Sequence, residues 1–486
     1  MGQAAPVVAT YHCAGFVPLA ADANLLTLHK AATLPSAPAV CQLVVSRFAQ
    51  VAAQNLSLGT NLATAALLEP MVSDVLTAES LGSFGEATAK PLSFVLALRL
   101  DAARAQVWQQ NLAKAFAGPG EKLQVEEFTG WEWKSGGADG LWLLPARDWL
   151  LVGRGDDLAP VRSEYLTQLK LQGRPGASLQ SHWLEADVDL TRWAALLPGS
   201  LRLFKPARVQ LTVATEADHL HTTAHVTYPE PIAWQSSPWQ LPVSLVPNRF
   251  NSFTAGQNIA AFLNLDPRFS QLTDSPLTNQ FCLWALGGMP FLDFAAWPAV
   301  NTNVLERFSR ETVAAFDSDL KRFNGTQLVW ETNLHRLALG NLRVTIPTVE
   351  AVEDKTGTFL VMSIFQRMPV PQPATDDLWK QIKGRTDLVY YDWEITGSRL
   401  QDWRLLGRML LFPQPRPMSD GMIEAGNKED KWLTDLIPFW SGNTVTEVTR
   451  VSPNELSVAR NSPMGLTGIE IFELCDWLGV LGIGQP

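Results

Sequence analysis

Apolar and acidic residues alternate in two short segments, residues 183–190 and 388–395. Side chains alternate between the two faces of a strand, so this pattern predicts two β-strands, each with an apolar face and an acidic face. The acidic faces carry Glu185, Asp187 and Asp189 in the first segment and Tyr390, Asp392 and Glu394 in the second.

The two segments also begin a longer repeat. Asp187-Val-Asp-Leu-Thr191 in the first half corresponds to Asp392-Trp-Glu-Ile-Thr396 in the second. Each copy is followed by an arginine, a tryptophan and a leucine: Arg192, Trp193 and Leu196, then Arg399, Trp403 and Leu406. The second copy has five more residues between the threonine and the tryptophan. The repeat predicts that one α+β unit has been duplicated.

Other elements follow from periodicity and breakers. Helical spacing predicts helices over 38–56 and 309–323, and Asp101 is a plausible N-cap for a helix that ends before Gly118. Glu69-Pro70 is predicted to interrupt a further helix. Strand patterns predict a hairpin in each half, formed by residues 209–214 with 219–228 and by residues 444–450 with 455–460.

A segment rich in proline and tryptophan divides the chain. Residues 229–247 hold five prolines and two tryptophans, a composition that excludes regular helix and central strand. We therefore predict a first α+β unit over 1–228 with a helical N-terminal part, an ordered linker over 229–247 and a second α+β unit over 248–486. Each unit is expected to be a mostly antiparallel sheet with helices packed on one face.

Composition limits the classes of function. Hydrophobic residues make up 46% of the 486 residues, enough for large cores, and the 18 tryptophans suggest that some line an interface or groove. A net charge of −10 argues against a nucleic-acid partner, which requires a basic face. We expect no transmembrane span, and Met1 does not begin a secretory signal.

The cysteines leave the redox compartment open. Cys13 with Cys41 and Cys282 with Cys475 are possible disulfides, but isolated buried thiols are favoured. No pair has the spacing of a zinc site or a redox motif.

The acidic strands are the first candidate site, with Asp187, Asp189, Asp392 and Glu394 as ligand-binding candidates together with Trp193 and Trp403. Rows of carboxylates can bind Ca²⁺ or act as an acid/base pair on a glycan. The alternation is equally what an amphipathic strand requires when its wet face carries acids paired with basic neighbours, and we favour that interpretation.

His219 and His221 form a weak candidate for a metal site. Two imidazoles two residues apart on one strand can reach a single metal ion, whereas His225 lies too far along the strand for the same ion. An exposed strand face is the favoured interpretation.

Motifs of common enzymes are missing from the sequence. It contains no nucleophile elbow, phosphate-binding loop, dinucleotide fingerprint or zinc-protease helix. We therefore name no catalytic residue and no cofactor, and a non-enzymatic role is favoured.

Three segments resemble an uncharacterised group of bacterial proteins that are exported or tethered at the cell envelope. They begin at Trp239-Gln-Leu-Pro242, at Val389-Tyr-Tyr-Asp392 and at Asn454-Glu-Leu456, and the resemblance covers mainly residues 235–470. It implies an envelope or periplasmic location, although this chain lacks the N-terminal hydrophobic segment of that group. The location would instead be cytoplasmic if Met1 is the native start.

These observations favour a non-enzymatic binding or scaffold protein of the cell envelope, with an unknown protein or glycan partner. A groove between the two units is the expected binding place. The alternatives are a glycan-active hydrolase that uses the strand carboxylates, and a carrier of lipid or another hydrophobic ligand.

Overall fold

A computed structural model gives the fold. It describes residues 7–59, 61–86, 92–134, 140–179, 181–193, 207–232, 234, 237–258, 279–286, 293–299, 327–331, 336–340, 348–363, 372–411, 431–440 and 442–477. The helix predicted at 309–323 lies outside these residues.

The strands are β1 Ala9–Cys13, β2 Ser80–Phe84, β3 Phe94–Arg99, β4 Glu121–Val125, β5 Phe128–Trp133, β6 Leu141–Ala146, β7 Trp149–Arg154, β8 His182–Asp189, β9 Arg208–Glu216, β10 His219–Thr227, β11 Phe250–Gln257, β12 Gln280–Leu286, β13 Asp293–Ala299, β14 Gln327–Glu331, β15 Arg336–Gly340, β16 Thr348–Asp354, β17 Gly357–Ser363, β18 Leu388–Ile395, β19 Asn443–Ser452 and β20 Glu455–Ser462.

The helices are α1 Phe16–Ala21, α2 Leu26–Thr33, α3 Ala37–Asn55, α4 Leu62–Thr77, α5 Ala102–Ala115, α6 Ala159–Gln172, α7 Asp376–Lys380, α8 Thr396–Leu411 and α9 Gly468–Trp477. Short 3₁₀ turns occupy Asp156–Leu158 and Ile437–Phe439. Within the described residues, no helix is both long and apolar enough to cross a bilayer.

The molecule is a mixed helix and strand protein with one large antiparallel sheet. The described strands form a 20-stranded sheet, and all their pairings are antiparallel. Read across the sheet, the order is β4-β5-β6-β7-β3-β2-β1-β8-β9-β10 and then β20-β19-β18-β11-β12-β13-β17-β16-β15-β14. The two halves have the same strand order. If the ten strands of each half are numbered in chain order and read outward from the centre of the sheet, both halves give ten, nine, eight, one, two, three, seven, six, five and four.

The central pair β10–β20 joins the two halves in a symmetric register. His225 lies opposite Ser457, and Thr222 lies opposite Arg460. His225 and Arg460 hold equivalent positions in their halves. Over three successive strand pairings, His225 is in register with Thr10 of β1, and Arg460 is in register with Thr254 of β11. Exchanging the halves therefore maps one pair onto the other, as at the interface of a two-fold dimer.

Helices cover both faces of the sheet in the first half. On one face the side chains of α3, α4 and α5 pack with Leu98 and Leu150. On the other face Leu166 and Leu169 of α6 pack with Val95. The prediction of helices on one face is wrong for this half, because β3, β6 and β7 are apolar on both sides and each side requires cover.

The second half has a separate core. Phe253, Trp284 and Phe359 are buried from β11, β12 and β17, and Trp379 of α7 packs on them. The opposite side of β18 is covered by α8, which also packs against α9. It is on this covered side that the second acidic row lies.

The N-terminal helices bridge the halves. Ala31 of α2 joins a cluster with Leu400 of α8 and Ile471 of α9. Ser36 donates a hydrogen bond of 2.9 Å to Asp435, and the Phe48 ring lies 5.0 Å from that of Trp477. The two halves are thus tied by side-chain packing as well as by the sheet.

Several local predictions are confirmed. The Asp101 carboxylate accepts the Arg104 backbone N–H at 2.8 Å and so caps α5, which ends before Gly118. Both predicted hairpins form, as β9–β10 and β19–β20. Pro70, however, lies inside a continuous α4, so the predicted interruption is wrong.

All four cysteines are free thiols. Cys282 and Cys475 are buried, Cys13 is half-buried and Cys41 is exposed. The favoured interpretation of isolated buried thiols is therefore confirmed for Cys282 and Cys475, whereas Cys41 is isolated but exposed.

Candidate functional site

The first acidic row forms surface ion pairs. Asp187 on β8 accepts two hydrogen bonds from Arg208, at 2.7 and 2.6 Å, and one from Gln210 at 3.1 Å. The bonds from Arg208 hold the pKa of Asp187 below its usual value. Asp189 accepts bonds from the Thr191 backbone N–H and hydroxyl. This row matches the favoured picture of wet acids with basic neighbours.

The second acidic row lies in a different environment. Asp392 and Glu394 of β18 are only 9% and 4% exposed. The expectation of a wet acidic face is wrong here, because α8 begins directly after β18 and folds back over it, with α9 beside it. A carboxylate taken out of water must be hydrogen-bonded, neutralised or protonated.

Each carboxyl of the pair has a defined hydrogen-bond partner. The Thr254 hydroxyl donates to Asp392 at 2.5 Å, and the Gly468 backbone N–H, at the start of α9, donates to Glu394 at 2.7 Å. Among the described residues, Thr254 is the only hydrogen-bond donor to Asp392. The carboxyl of Asp392 therefore keeps acceptor capacity that no described residue uses.

Burial sets the protonation of the pair. It raises the pKa of Glu394 to about 8, and the neighbouring Asp392 adds to this rise, while the bond from Gly468 opposes it. Burial also raises the pKa of Asp392, against the lowering effects of Thr254 and of nearby Arg399 and Arg460. Glu394 is thus mostly protonated and neutral at pH 7.

The ion pair between Arg460 and Glu470 lies beside Asp392 and Glu394 and closes the site. Arg460 of β20 donates two hydrogen bonds to Glu470, at 2.8 and 2.9 Å, and a third to the Thr446 hydroxyl at 3.0 Å. Glu470 also accepts the Thr467 backbone N–H at 2.8 Å, and the Thr467 hydroxyl accepts the Glu470 N–H at 3.3 Å. This reciprocal capping box fixes the start of α9 over the sheet.

These groups surround a cavity of about 360 Å³. Its polar wall includes Asp392, Glu394 and Thr254, and its apolar wall includes Trp403 and Ile469. The Arg399 guanidinium lies 4.7 Å from the centre of the Trp403 ring. The cavity thus combines carboxyl acceptors with an aromatic face, and its volume suits a small ligand.

Trp193 and Trp403, the two tryptophans of the repeat, lie in different halves and have different contacts. The Trp193 indole N–H donates to the Gly85 carbonyl at 3.1 Å, and its ring meets Phe84 edge-on at 5.8 Å. Trp403 lines the cavity of the second half and lies 6.3 Å from Phe472. The structure therefore does not bring them together.

The acidic rows are also far apart. β8 and β18 are separated by β9, β10, β20 and β19, which corresponds to roughly 24 Å at ~4.8 Å per strand. Only the pair within one row is close, since Asp392 and Glu394 are two residues apart on one strand, or ~7 Å. The candidate site therefore lies within the second half and does not lie between the halves.

The histidines share one side of β10, where His225 is exposed and His219 and His221 are half-buried. His219 is 2.5 Å from an oxygen of Asp218, and His221 is 3.5 Å from one of Glu216. His225 pairs with Glu455 at 3.2 Å. Within the part of the chain that the structure describes, no group of three or more metal-ligating side chains is close enough to hold an ion.

Sequence reasoning missed the residues that complete the site, namely Thr254, Arg460 and Glu470. They come from strands and a helix distant in sequence, so spacing cannot join them to β18. One signal was available: Thr467 and Glu470 have the spacing of a capping box before an apolar helix.

Comparisons with known proteins give no relative. No family model, no curated protein and no solved structure matches this chain.

Proposed function

We propose that this chain is a non-enzymatic binding protein of the bacterial cell envelope, and that the cavity around Asp392 and Glu394 is its ligand pocket. The burial of this acidic pair against a cavity is the observation that carries the proposal. Burying carboxyls is unfavourable, so a fold that keeps two of them beside a small cavity points to a role for them there.

The chemistry of the pocket favours a small polar ligand that donates hydrogen bonds. Asp392 has acceptor capacity left over, and Trp403 offers a flat apolar surface. Hydroxyl and amine groups would be held by the carboxyls, while the carbon skeleton packs on the ring, as in sugar or amine recognition.

We also propose that the two halves are duplicated units, of which only the second buries its acidic row beside a cavity. The identical strand order and the symmetric β10–β20 register support this. The repeat noticed in the sequence agrees, because Asp187 and Asp392 occupy equivalent ladder positions, each opposite a threonine of the neighbouring strand. The envelope location rests on the resemblance of residues 235–470 alone.

A panel of monosaccharides, amino sugars and polyamines tests the pocket by thermal shift and calorimetry. A ligand of this site should lose most of its affinity with Asp392→Asn or Trp403→Ala. The matched control is Asp187→Asn, which alters the equivalent carboxylate of the first half and should leave binding unchanged. Binding that survives both pocket variants would place the ligand elsewhere and contradict the proposal.

The glycan-hydrolase alternative retains one supporting observation. Glu394 has a pKa of about 8 and Asp392 is its neighbour on the strand, a pairing of acid and carboxylate that glycosidases use. Release of reducing sugar from a glycan panel, abolished by Glu394→Gln, would favour the enzyme over the binding protein.

The carrier alternative has less support, because charged side chains line the pocket.

A further inference from the structure

A second cavity lies on the apolar side of the second half, away from the acidic pair. The segment 239–246, the turn between β16 and β17, and α7 enclose about 670 Å³. This volume falls in the usual range of small-molecule sites. We call it the Trp239 groove, after the residue that forms one wall.

The inner surface of the Trp239 groove is apolar and fixed in place. Trp379 is buried and meets the Phe253 ring edge-on at 5.4 Å. The half-buried Trp239 donates its indole N–H to the Arg385 carbonyl at 3.0 Å. Because both rings are held by other contacts, an aromatic surface exists before any ligand arrives.

Hydrogen bonds also hold the segment that carries Trp239. The Ser244 backbone N–H donates to Asp354 at 3.0 Å, and the Thr356 hydroxyl donates to the Leu241 carbonyl at 2.8 Å. Residues 239–244, in the second part of the predicted linker, therefore form a wall of this groove.

The rim of the groove is positively charged, although the chain carries a net charge of −10. Three exposed lysines line it: Lys355, Lys380 and Lys383. Lys380 pairs with Asp377 at 2.8 Å, whereas Lys355 and Lys383 form no ion pair with any described residue.

Two acids lie near these lysines. Asp354, next to Lys355, uses its oxygens to accept bonds from Ser244 and Thr356. Asp376 lines the cavity and offsets part of the charge. Of the side chains that line the cavity, three are lysines and one is an acid, Asp376, while the charges of Asp354 and Asp377 lie beside the cavity.

We infer that the Trp239 groove binds a small anionic ligand with a flat, aromatic body. The body packs against Trp239 and Trp379, and a carboxylate, sulfonate or phosphate group lies between Lys355 and Lys383. Ammonium groups attract such anions as point charges, and tryptophan faces supply most of the contact area. The inference does not depend on the pocket around Asp392.

The test uses anilinonaphthalene sulfonate, an anionic aromatic fluorophore, titrated into the full chain. The double variant Lys355→Gln/Lys383→Gln should raise its Kd at least tenfold. The control Lys114→Gln/Lys122→Gln removes two exposed lysines from the first half and should leave the Kd unchanged. Since all four positions are exposed, both variants should fold, which circular dichroism verifies.

The neutral analogue phenylnaphthylamine separates charge from hydrophobic contact. It should bind the wild type and the groove variant equally. Competition with benzoate, phenyl phosphate and inorganic phosphate then identifies the preferred anion and whether the aromatic body is required. An unchanged Kd for the sulfonate in the groove variant, or an equal loss for the neutral dye, would overturn the inference.

Discussion

Asp187 and Asp392 occupy the same position in the two halves of the sheet, yet only Asp392 is buried. Asp187 lies opposite Thr10 and is paired with Arg208, whereas Asp392 lies opposite Thr254 beneath α8. The same residue at the same ladder position thus lines a cavity in both halves, but it forms a half-exposed ion pair in the first half and is buried in the second. What covers the strand decides the difference.

The raised pKa of Glu394 predicts that the protein loses stability as the pH rises. The carboxyl has a pKa of about 8 when folded, against an ordinary value of 4.5 for a glutamate side chain in water, so the folded state binds a proton that the unfolded state has released. Stability from this group is complete below pH 4.5 and is lost as the pH rises through 8. The full effect is on the order of 3–5 kcal/mol.

Glu394→Gln should remove this dependence, because glutamine keeps the acceptor for the Gly468 N–H and cannot ionise. The variant should match the wild type in thermal midpoint at pH 5 and exceed it at pH 8.5. Scanning calorimetry at both values measures this, with Glu164→Gln on the exposed side of α6 as the control. Parallel pH profiles for wild type and Glu394→Gln would contradict the prediction.

The strands and hairpins around the site follow from the sequence, while the burial of the acids does not. Period-two alternation tells which residues share a face, such as Asp392 with Glu394, because it reflects the geometry of a single strand. It cannot tell whether that face meets water or a helix. The cover comes from α9, more than 70 residues later, held by Gly468 and Glu470.

The helix through Pro70 shows a second limit. Proline removes one backbone hydrogen bond and is unfavourable inside an isolated helix, so local rules end the helix there. In the folded chain α4 packs between α3 and α5. The Pro70 carbonyl also accepts a hydrogen bond of 3.2 Å from Arg104. Tertiary packing outweighs the local preference, and no short window of sequence contains that information.

Arginine geometry is expected to matter at residue 460. Arg460→Lys keeps the charge but loses the two-pronged contact with Glu470 and the bond to Thr446. We expect a loss of about 1–3 kcal/mol in the free energy of unfolding, measured by urea denaturation. Arg208→Lys, which alters the exposed pair with Asp187, should change it by less than ~0.5 kcal/mol. Equal effects of the two substitutions would argue against the closed site around α9.

Gly130 is expected to tolerate no side chain. A Cβ at this position of β5 would lie 2.0 Å from the Leu143 carbonyl oxygen of the neighbouring strand, so the backbone would have to move. Gly130→Ala should destabilise the protein by roughly 2–4 kcal/mol. Gly118→Ala is the matched control, because nothing lies within 4 Å of its Cβ. Urea denaturation of both variants compares them, and a neutral Gly130→Ala would mean that β5 and β6 pair differently.

The four thiols are expected to differ widely in reactivity. Cys41 on α3 is exposed, whereas Cys282 and Cys475 are buried among apolar side chains. Burial raises the pKa of Cys282 strongly and that of Cys41 less, and only the thiolate reacts. Titration with a disulfide reagent at pH 8 should therefore modify Cys41 first and Cys282 only after denaturation.

Cys41→Ser should abolish the fast phase and lower by one the number of thiols counted after denaturation. A native protein from an oxidising compartment that yields fewer than four thiols after denaturation would instead contain a disulfide, in conflict with the free cysteines found here.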